Sequence, residues 1–154
     1  MEQPLPVQEL SARDKRSLVF HLLYSADISD YEVLLPTIIA GYQEGFGYHI
    51  PLEADVVGIA QDIIDEREEL DAIYRPFLSN WRFERVGVAT KLILRYAVWE
   101  FLHAELDTLI IINEAIELAK GFAEKDAYKF INGILDEVSK KIRPEVAQEQ
   151  SDAD

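Results

Sequence analysis

The segment from Val86 to Leu102 is apolar on nearly every side at helical spacing. Its apolar residues leave little room for a polar face, since they include Leu92, Ile93, Leu94, Tyr96, Ala97, Val98, Trp99, Phe101 and Leu102. A helix that is apolar nearly all round is buried between other helices. The segment therefore predicts a central helix with the rest of the fold packed around it.

Apolar residues also recur at helical spacing in most of the remaining chain. These stripes lie at residues 18–26, 34–42, 56–73, 109–121 and 127–142. No segment alternates apolar and polar residues between turn signals in the way that marks strands. The sequence therefore predicts an all-α fold, a compact bundle of about seven helices.

Prolines, capping residues and charge predict the boundaries of the folded part. Residues 1–9 contain two prolines and are expected to form a flexible N-terminal arm. Ser11, with Asp14 three residues later, is typical of a helix start. Residues 144–154 hold four acidic residues and no basic one, so they are predicted to form a disordered acidic tail. The folded domain is then expected at residues 10–143.

Four features inside the domain predict local detail. Pro36 fits a helix only in its first turn. Closely spaced glycines predict a loop at residues 43–51. The acidic residues of the stretch 62–71 are expected on a solvated helix face. Gly133 lies in mid-helix, where close approach of another helix would explain it.

The net charge of −14 argues against nucleic acid as a partner when it is taken alone, because binding depends on neutralised phosphates. The charge is unevenly distributed, however. Residues 26–83 hold three basic and twelve acidic residues, whereas residues 1–25 hold three of each. Arg13, Lys15 and Arg16 lie there with a single acid between them. A local positive patch on an acidic protein is therefore predicted.

The composition argues against several classes of function. The chain has no Cys, which excludes a disulfide framework, a thiol nucleophile and thiolate metal sites. No apolar run is long enough to span a membrane and no N-terminal signal sequence is visible, so a cytoplasmic protein is expected. There is no phosphate loop, no dinucleotide motif and no ligand-like spacing of the three His residues. Neither enzyme activity nor a cofactor nor a metal site is predicted.

Two C-terminal segments carry the most specific signal in the chain. They read I-N-E-A-I-E-L-A-K at Ile112–Lys120 and K-F-I-N-G-I-L-D at Lys129–Asp136. Shorter segments accompany them upstream, at Arg75–Leu78 (R-P-F-L), Lys91–Glu100 (K-L-I-L-R-Y-A-V-W-E), Arg13–Arg16 (R-D-K-R) and Leu23–Ser25 (L-Y-S). Together these segments resemble the NusB family of transcription antitermination factors, over about residues 10–143.

The resemblance implies a bundle of helices in two small subdomains. It also implies binding to boxA, a short single-stranded RNA element of ribosomal RNA leader transcripts. NusE, a small-subunit ribosomal protein, would bind with it in the RNA polymerase antitermination complex, and family members can form homodimers. A basic partner of this kind would supply phosphate contacts that an acidic protein lacks.

The resemblance and the residue chemistry together predict an RNA-binding set. Single-stranded RNA is held by basic side chains on its phosphates and by aromatic rings on its unstacked bases. The predicted RNA-binding residues are Arg13, Lys15, Arg16, Lys120, Phe122, Tyr128 and Lys129. The alternatives are ordinary surface charge for the cations of the first helix and a core position for Phe122. Phe130 falls on the apolar stripe and is assigned to the core.

A second set is predicted to face a protein partner, and it comprises Tyr24, Lys91, Arg95 and Glu100. Arg95 lies in an apolar helix, so a buried ion pair with Glu100 or another acid is the alternative. The alternative function is that of a protein–protein adaptor or ribosome-assembly factor with weak RNA affinity. An appended domain of an RNA cytosine methylase is disfavoured by the chain's length and by the lack of a cofactor motif.

Overall fold

The computed structural model describes residues 5–79 and 82–144. These residues contain seven α-helices, which confirms the all-α prediction. The chain divides into two compact units, Met1–Asp65 (unit 1) and Glu66–Asp154 (unit 2), in keeping with the NusB resemblance. Apart from Pro144, the predicted acidic tail lies outside the described residues.

Unit 1 is built from three helices, α1 (Ala12–Ile28), α2 (Leu35–Phe46) and α3 (Asp55–Asp65). Helix α1 packs against both α2 and α3. The apolar stripe of α1 is buried, and it comprises Leu18, Val19, Phe20, Leu22, Leu23 and Ala26. The stripe predicted at residues 18–26 therefore lies in the core of unit 1.

Residues 5–9 of the predicted flexible arm have regular secondary structure. Leu5–Pro6 (β1) pairs in parallel with Tyr48–His49 (β2), and Val7–Glu9 forms a 3-10 helix. The Val7 residue is only 1% exposed. Burial of this apolar side chain and pairing with β2 fix the segment in spite of its prolines. Residues 1–4 lie outside the described residues.

Helix α2 agrees with the prediction at its start and departs from it at its end. Pro36 lies in the first turn, where its missing N–H has no helical partner to lose. The helix continues to Phe46, so the predicted loop is wrong for residues 43–46. It ends at Gly47, whose φ of 72° is left-handed. Glycine suits this C-terminal position because it has no Cβ to clash.

Unit 2 contains the other four α-helices of the described chain. They are α4 (Arg67–Tyr74), α5 (Val88–His103), α6 (Thr108–Phe122) and α7 (Ala127–Ile142), with 3-10 helices at Arg75–Leu78 and Phe83–Arg85. Helix α5 packs against α4, α6 and α7, and most of its residues from Thr90 to Phe101 are buried. The prediction of a central helix is confirmed for this unit.

Gly133 lies in open space on an exposed side of α7. A Cβ built on it would meet no atom within 4 Å among the described residues. The expected close approach of another helix is therefore wrong. Glycine here carries the backbone entropy cost that it has in any helix interior, about 1 kcal/mol relative to Ala.

Candidate nucleic-acid interface

The start of α1 gathers the basic residues of unit 1. The unit has no Lys or Arg besides Arg13, Lys15 and Arg16, and it holds eleven acidic residues. Ser11 caps the helix, because its Oγ accepts a hydrogen bond of 3.1 Å from the backbone N–H of Asp14. The cap orders a helix end whose partial positive charge attracts anions.

The three cations of α1 differ in their surroundings. Arg13 is exposed, whereas Lys15 and Arg16 are half-buried. The Lys15 Nζ lies 3.8 Å from Oδ2 of Asp55, at the start of α3. An ion pair as accessible as this one contributes about 0–1 kcal/mol, so an RNA phosphate can compete for the lysine.

The turn between α6 and α7 brings three of the predicted RNA-binding residues together. The Lys120 Nζ lies 5.2 Å from the centre of the Tyr128 ring, and the Lys129 Nζ lies 5.9 Å from it. Lys120 comes from the last turn of α6, and the other two come from the first turn of α7. The cluster combines positive charge with an aromatic ring, which are the two groups that single-stranded RNA requires.

Each lysine of this cluster also has an acidic neighbour on its own helix or at its start. The Lys120 Nζ is 3.9 Å from Oε1 of Glu117, and the Lys129 Nζ is 3.9 Å from Oδ1 of Asp126. These side chains are all solvent-accessible, so the pairs are weak. The acids lower the net charge of the cluster without blocking the lysines.

Two phenylalanines flank the turn. Phe122, the last residue of α6, is 44% exposed, which favours a surface role over the core alternative. Phe130 was assigned to the core, but it is only half-buried. It lines a cavity of about 260 Å³ with Arg85, Thr90 and Lys125. The apolar periodicity of α7 could not predict the cavity. A residue on the apolar face of a helix has the same spacing whether it lies in the core or in a cavity wall.

Two of the four residues predicted to face a partner are accessible. Tyr24 is 37% exposed on α1, with its ring centre 6.1 Å from that of Phe20. Lys91 is half-buried on α5, and its Nζ lies 4.3 Å from the centre of the Phe83 ring. A partner role for Tyr24 in unit 1 and for Lys91 in unit 2 stays a prediction.

The partner prediction is wrong for Arg95 and Glu100, because each is only 6% exposed. The Arg95 Nε donates a 3.0 Å hydrogen bond to Oδ1 of Asp71, and its Nη2 donates a 2.8 Å bond to Oδ2. The alternative of a buried ion pair with another acid therefore describes Arg95. Asp71 is correspondingly buried instead of lying on the predicted solvated face, because α4 packs against α5.

The described residues contain neither a candidate metal site nor a candidate membrane-spanning helix. Within residues 5–79 and 82–144, no group of three or more His, Cys, Asp or Glu side chains is placed to hold a metal ion. In the same part of the chain, no helix is both long enough and apolar enough to cross a bilayer. The surface is distinguished instead by basic and aromatic side chains at the start of α1 and at the α6–α7 turn.

Fold and surface together define a class, that of small all-helical proteins made of two units with clustered basic side chains. Within that class the chain belongs to the NusB family, whose model matches residues 13–140. The transcription antitermination protein NusB of Oleidesulfovibrio alaskensis is 37% identical over 142 residues, covering 86% of this chain and 89% of that protein. NusB of Staphylococcus epidermidis is 29% identical over 131 residues, covering 84% of this chain and 99% of that protein.

A solved structure extends the similarity to three dimensions. NusB of T. maritima matches with a TM-score of 0.77 and 26% sequence identity. The match covers 90% of this chain and 98% of that one. The family resemblance drawn from the motifs is thereby confirmed.

Proposed function

We propose that this chain is a transcription antitermination factor that binds boxA-type single-stranded RNA together with the ribosomal protein NusE, in support of ribosomal RNA transcription. Membership of the NusB family supports the antitermination role. The RNA-binding role rests above all on the cluster of Lys120, Tyr128 and Lys129 at the α6–α7 turn.

The chemistry of this proposal is binding without a reaction. Lys120, Lys129 and the cations at the start of α1 neutralise phosphates, which fixes the path of the strand but reads no sequence. Tyr128 and Phe122 stack on unpaired bases, which requires a single strand because the bases of a duplex already stack on each other.

A protein partner completes the proposal. NusE brings further positive charge to a chain whose own net charge is −14. Tyr24 and Lys91 are accessible enough to face this partner, or a second copy of the chain in a homodimer. The assembled complex would then join RNA polymerase.

Fluorescence anisotropy with a boxA-type RNA, with and without NusE, tests the RNA-binding role. We expect Arg13→Glu combined with Arg16→Glu to weaken binding at least about tenfold, because two phosphate contacts become repulsive. Lys120→Gln with Lys129→Gln should weaken it as well. The charge-matched control is Lys140→Gln with Lys141→Gln, which should leave affinity unchanged. Full affinity in the first two variants, with helicity intact, would reject the site.

One observation favours the alternative of a protein–protein adaptor with weak RNA affinity. Lys15, Lys120 and Lys129 each lie within 3.9 Å of an acidic oxygen. The same titration separates the two functions. Salt-sensitive RNA binding supports the RNA-binding factor, whereas binding to NusE with no measurable RNA affinity in either mixture supports the adaptor.

A further inference from the structure

A second group of cations lies in unit 2, away from the residues that the motifs select for RNA. Residues 75–91 hold four basic residues and one acid, in a chain of 15 basic and 29 acidic residues. The four, here called the basic segment, are Arg75, Arg82, Arg85 and Lys91. Among the described residues, none of them has a carboxylate oxygen within 4.0 Å.

This lack of acidic partners sets the basic segment apart from several of the protein's other lysines and arginines. Lys120, Lys129 and Lys140 on the neighbouring helices each have an acid within 3.9 Å. In a chain with nearly twice as many acids as bases, four cations without a carboxylate partner leave a locally basic surface. Such a surface attracts an external anion.

The geometry around Phe83 holds two of these cations in place. The Arg75 Cζ lies 3.8 Å from the centre of the Phe83 ring, and the Lys91 Nζ lies 4.3 Å from it. Cation–π attraction orders both side chains near each other in spite of their repulsion. The ring is occupied by cations, so it offers no stacking platform for a base. The group is therefore suited to bind phosphates by charge alone.

The cavity beside the α6–α7 turn links the basic segment to the proposed RNA site within unit 2. Arg85 lines this cavity of about 260 Å³ on one side. Lys125, Phe130 and two acids, Glu124 and Asp126, line the other side. Arg85 and the turn that carries Tyr128 therefore border the same cavity.

We infer that the basic segment binds the backbone phosphates of single-stranded RNA that flanks the boxA-type element, without reading its sequence. The inference rests on the proposed RNA function and extends it to a longer stretch of RNA. Contacts from Arg and Lys to phosphates add affinity for any sequence and release bound counterions, which makes the added affinity salt-dependent.

Two RNAs test the inference by fluorescence anisotropy, one limited to the boxA-type element and one with about ten flanking nucleotides of mixed sequence on each side. The wild-type chain should bind the long RNA at least about tenfold more tightly than the short one. Arg75→Gln with Arg82→Gln should remove this gain and leave the affinity for the short RNA within about twofold. The slope of log affinity against log salt concentration for the long RNA should become shallower by about 0.7 for each phosphate that the variant no longer neutralises.

Two further variants test whether the loss of the gain is specific to the basic segment. Lys140→Gln removes one charge from an acid-paired lysine of the same unit and should keep the full gain from the flanks. Arg85→Glu changes an exposed side chain other than the two cations that lie over the Phe83 ring, so it tests the surface even if the Arg75 and Arg82 variant unfolds. Arg85→Glu should lower the gain at least about threefold.

The possible results separate this inference from the proposed function. Equal affinity of the wild-type chain for both RNAs, or an undiminished gain in the variants, would overturn the inference while tight binding of the short RNA upholds the function. Failure of the short RNA to bind, with or without NusE, would overturn the function. Poly-glutamate can be titrated in the same way. If it binds saturably at the basic segment while the RNA flanks add no affinity, the inference is overturned in favour of an acidic protein ligand.

Discussion

The Tyr74 hydroxyl is buried in the interior of unit 2, beside the carboxylate of Asp71. Burial, and next the negative charge of Asp71, raise the pKa of Tyr74 well above its ordinary value. Ionisation would place a second anion beside Asp71, whose two oxygens are already engaged by Arg95. The hydroxyl therefore stays protonated for as long as the chain is folded.

Stability should depend on this hydroxyl at alkaline pH. The folded pKa of Tyr74 is raised, so its contribution is complete below the unfolded pKa of about 10 and is lost as pH rises above that value. By pH 11 the loss should reach about 1.4 kcal/mol relative to Tyr74→Phe, which has no proton to lose. Urea unfolding of both proteins at about pH 9, 10 and 11 measures the difference. Identical pH profiles would contradict the buried, protonated state.

The contacts of side chains whose partners are distant in sequence were the hardest to predict. The helical period correctly placed Arg95 in an apolar helix and raised a buried ion pair as one alternative. The period did not identify Asp71 as its partner, because Asp71 comes from another helix, 24 residues away in sequence. Among the site residues, the spacing within α1 was enough to group Arg13 with Arg16. The grouping of Lys120 with Tyr128 needed the α6–α7 hairpin as well.

Arg143 joins the end of α7 to the end of α5. Its guanidinium donates hydrogen bonds to four backbone carbonyl oxygens, those of Glu100 (3.2 Å), Phe101 (3.0 Å), Ala104 (3.0 Å) and Leu106 (2.6 Å). The carbonyls at the end of a helix have no partners within it and carry partial negative charge. One planar cation with five donors therefore closes the C-terminal end of α5 and the turn that follows.

Removing this cation should destabilise the protein measurably. Arg143→Met keeps the apolar part of the side chain but leaves these carbonyls without their donor. We expect the free energy of unfolding to fall by about 2–3 kcal/mol, the size of one or two charge-assisted hydrogen bonds. Arg143→Lys should recover only part of this, since an ammonium group lacks the planar fork. Chemical denaturation measures the change, and a loss below about 0.5 kcal/mol in Arg143→Met would contradict the role.

Whole helices were predictable to the extent that an apolar face defined them. The central helix emerged from the sequence because α5 is buried on nearly all sides. Helix ends were less predictable, since they depend on single residues such as Gly47 and on contacts from elsewhere. The stripe at residues 56–73 is continuous in sequence, yet it belongs to two helices that break at Glu66. The burial of Val7 was not predicted, because a single apolar residue in a short segment produces no helical periodicity.

Charge is segregated along the molecule as a whole. Unit 1 holds three basic and eleven acidic residues, and all three basic ones lie at the start of α1. In unit 2 the cations concentrate in the basic segment, around the α6–α7 turn and at the end of α7. An overall charge of −14 therefore coexists with small positive surfaces, because the acids lie elsewhere on each unit or in weak pairs. Net charge predicts self-repulsion, whereas these local clusters determine which anions bind.

Salt should therefore have opposite effects on folding and on RNA binding. Raising NaCl from about 20 mM to about 200 mM screens the mutual repulsion of the acids, so thermal stability should rise by about 2–4 °C. The same change should weaken RNA binding at least about tenfold, since each phosphate contact releases counterions. Calorimetry and anisotropy on one preparation measure both. A parallel fall of melting temperature and affinity would mean that RNA binding is lost through unfolding, and an affinity insensitive to salt would contradict binding through these cations.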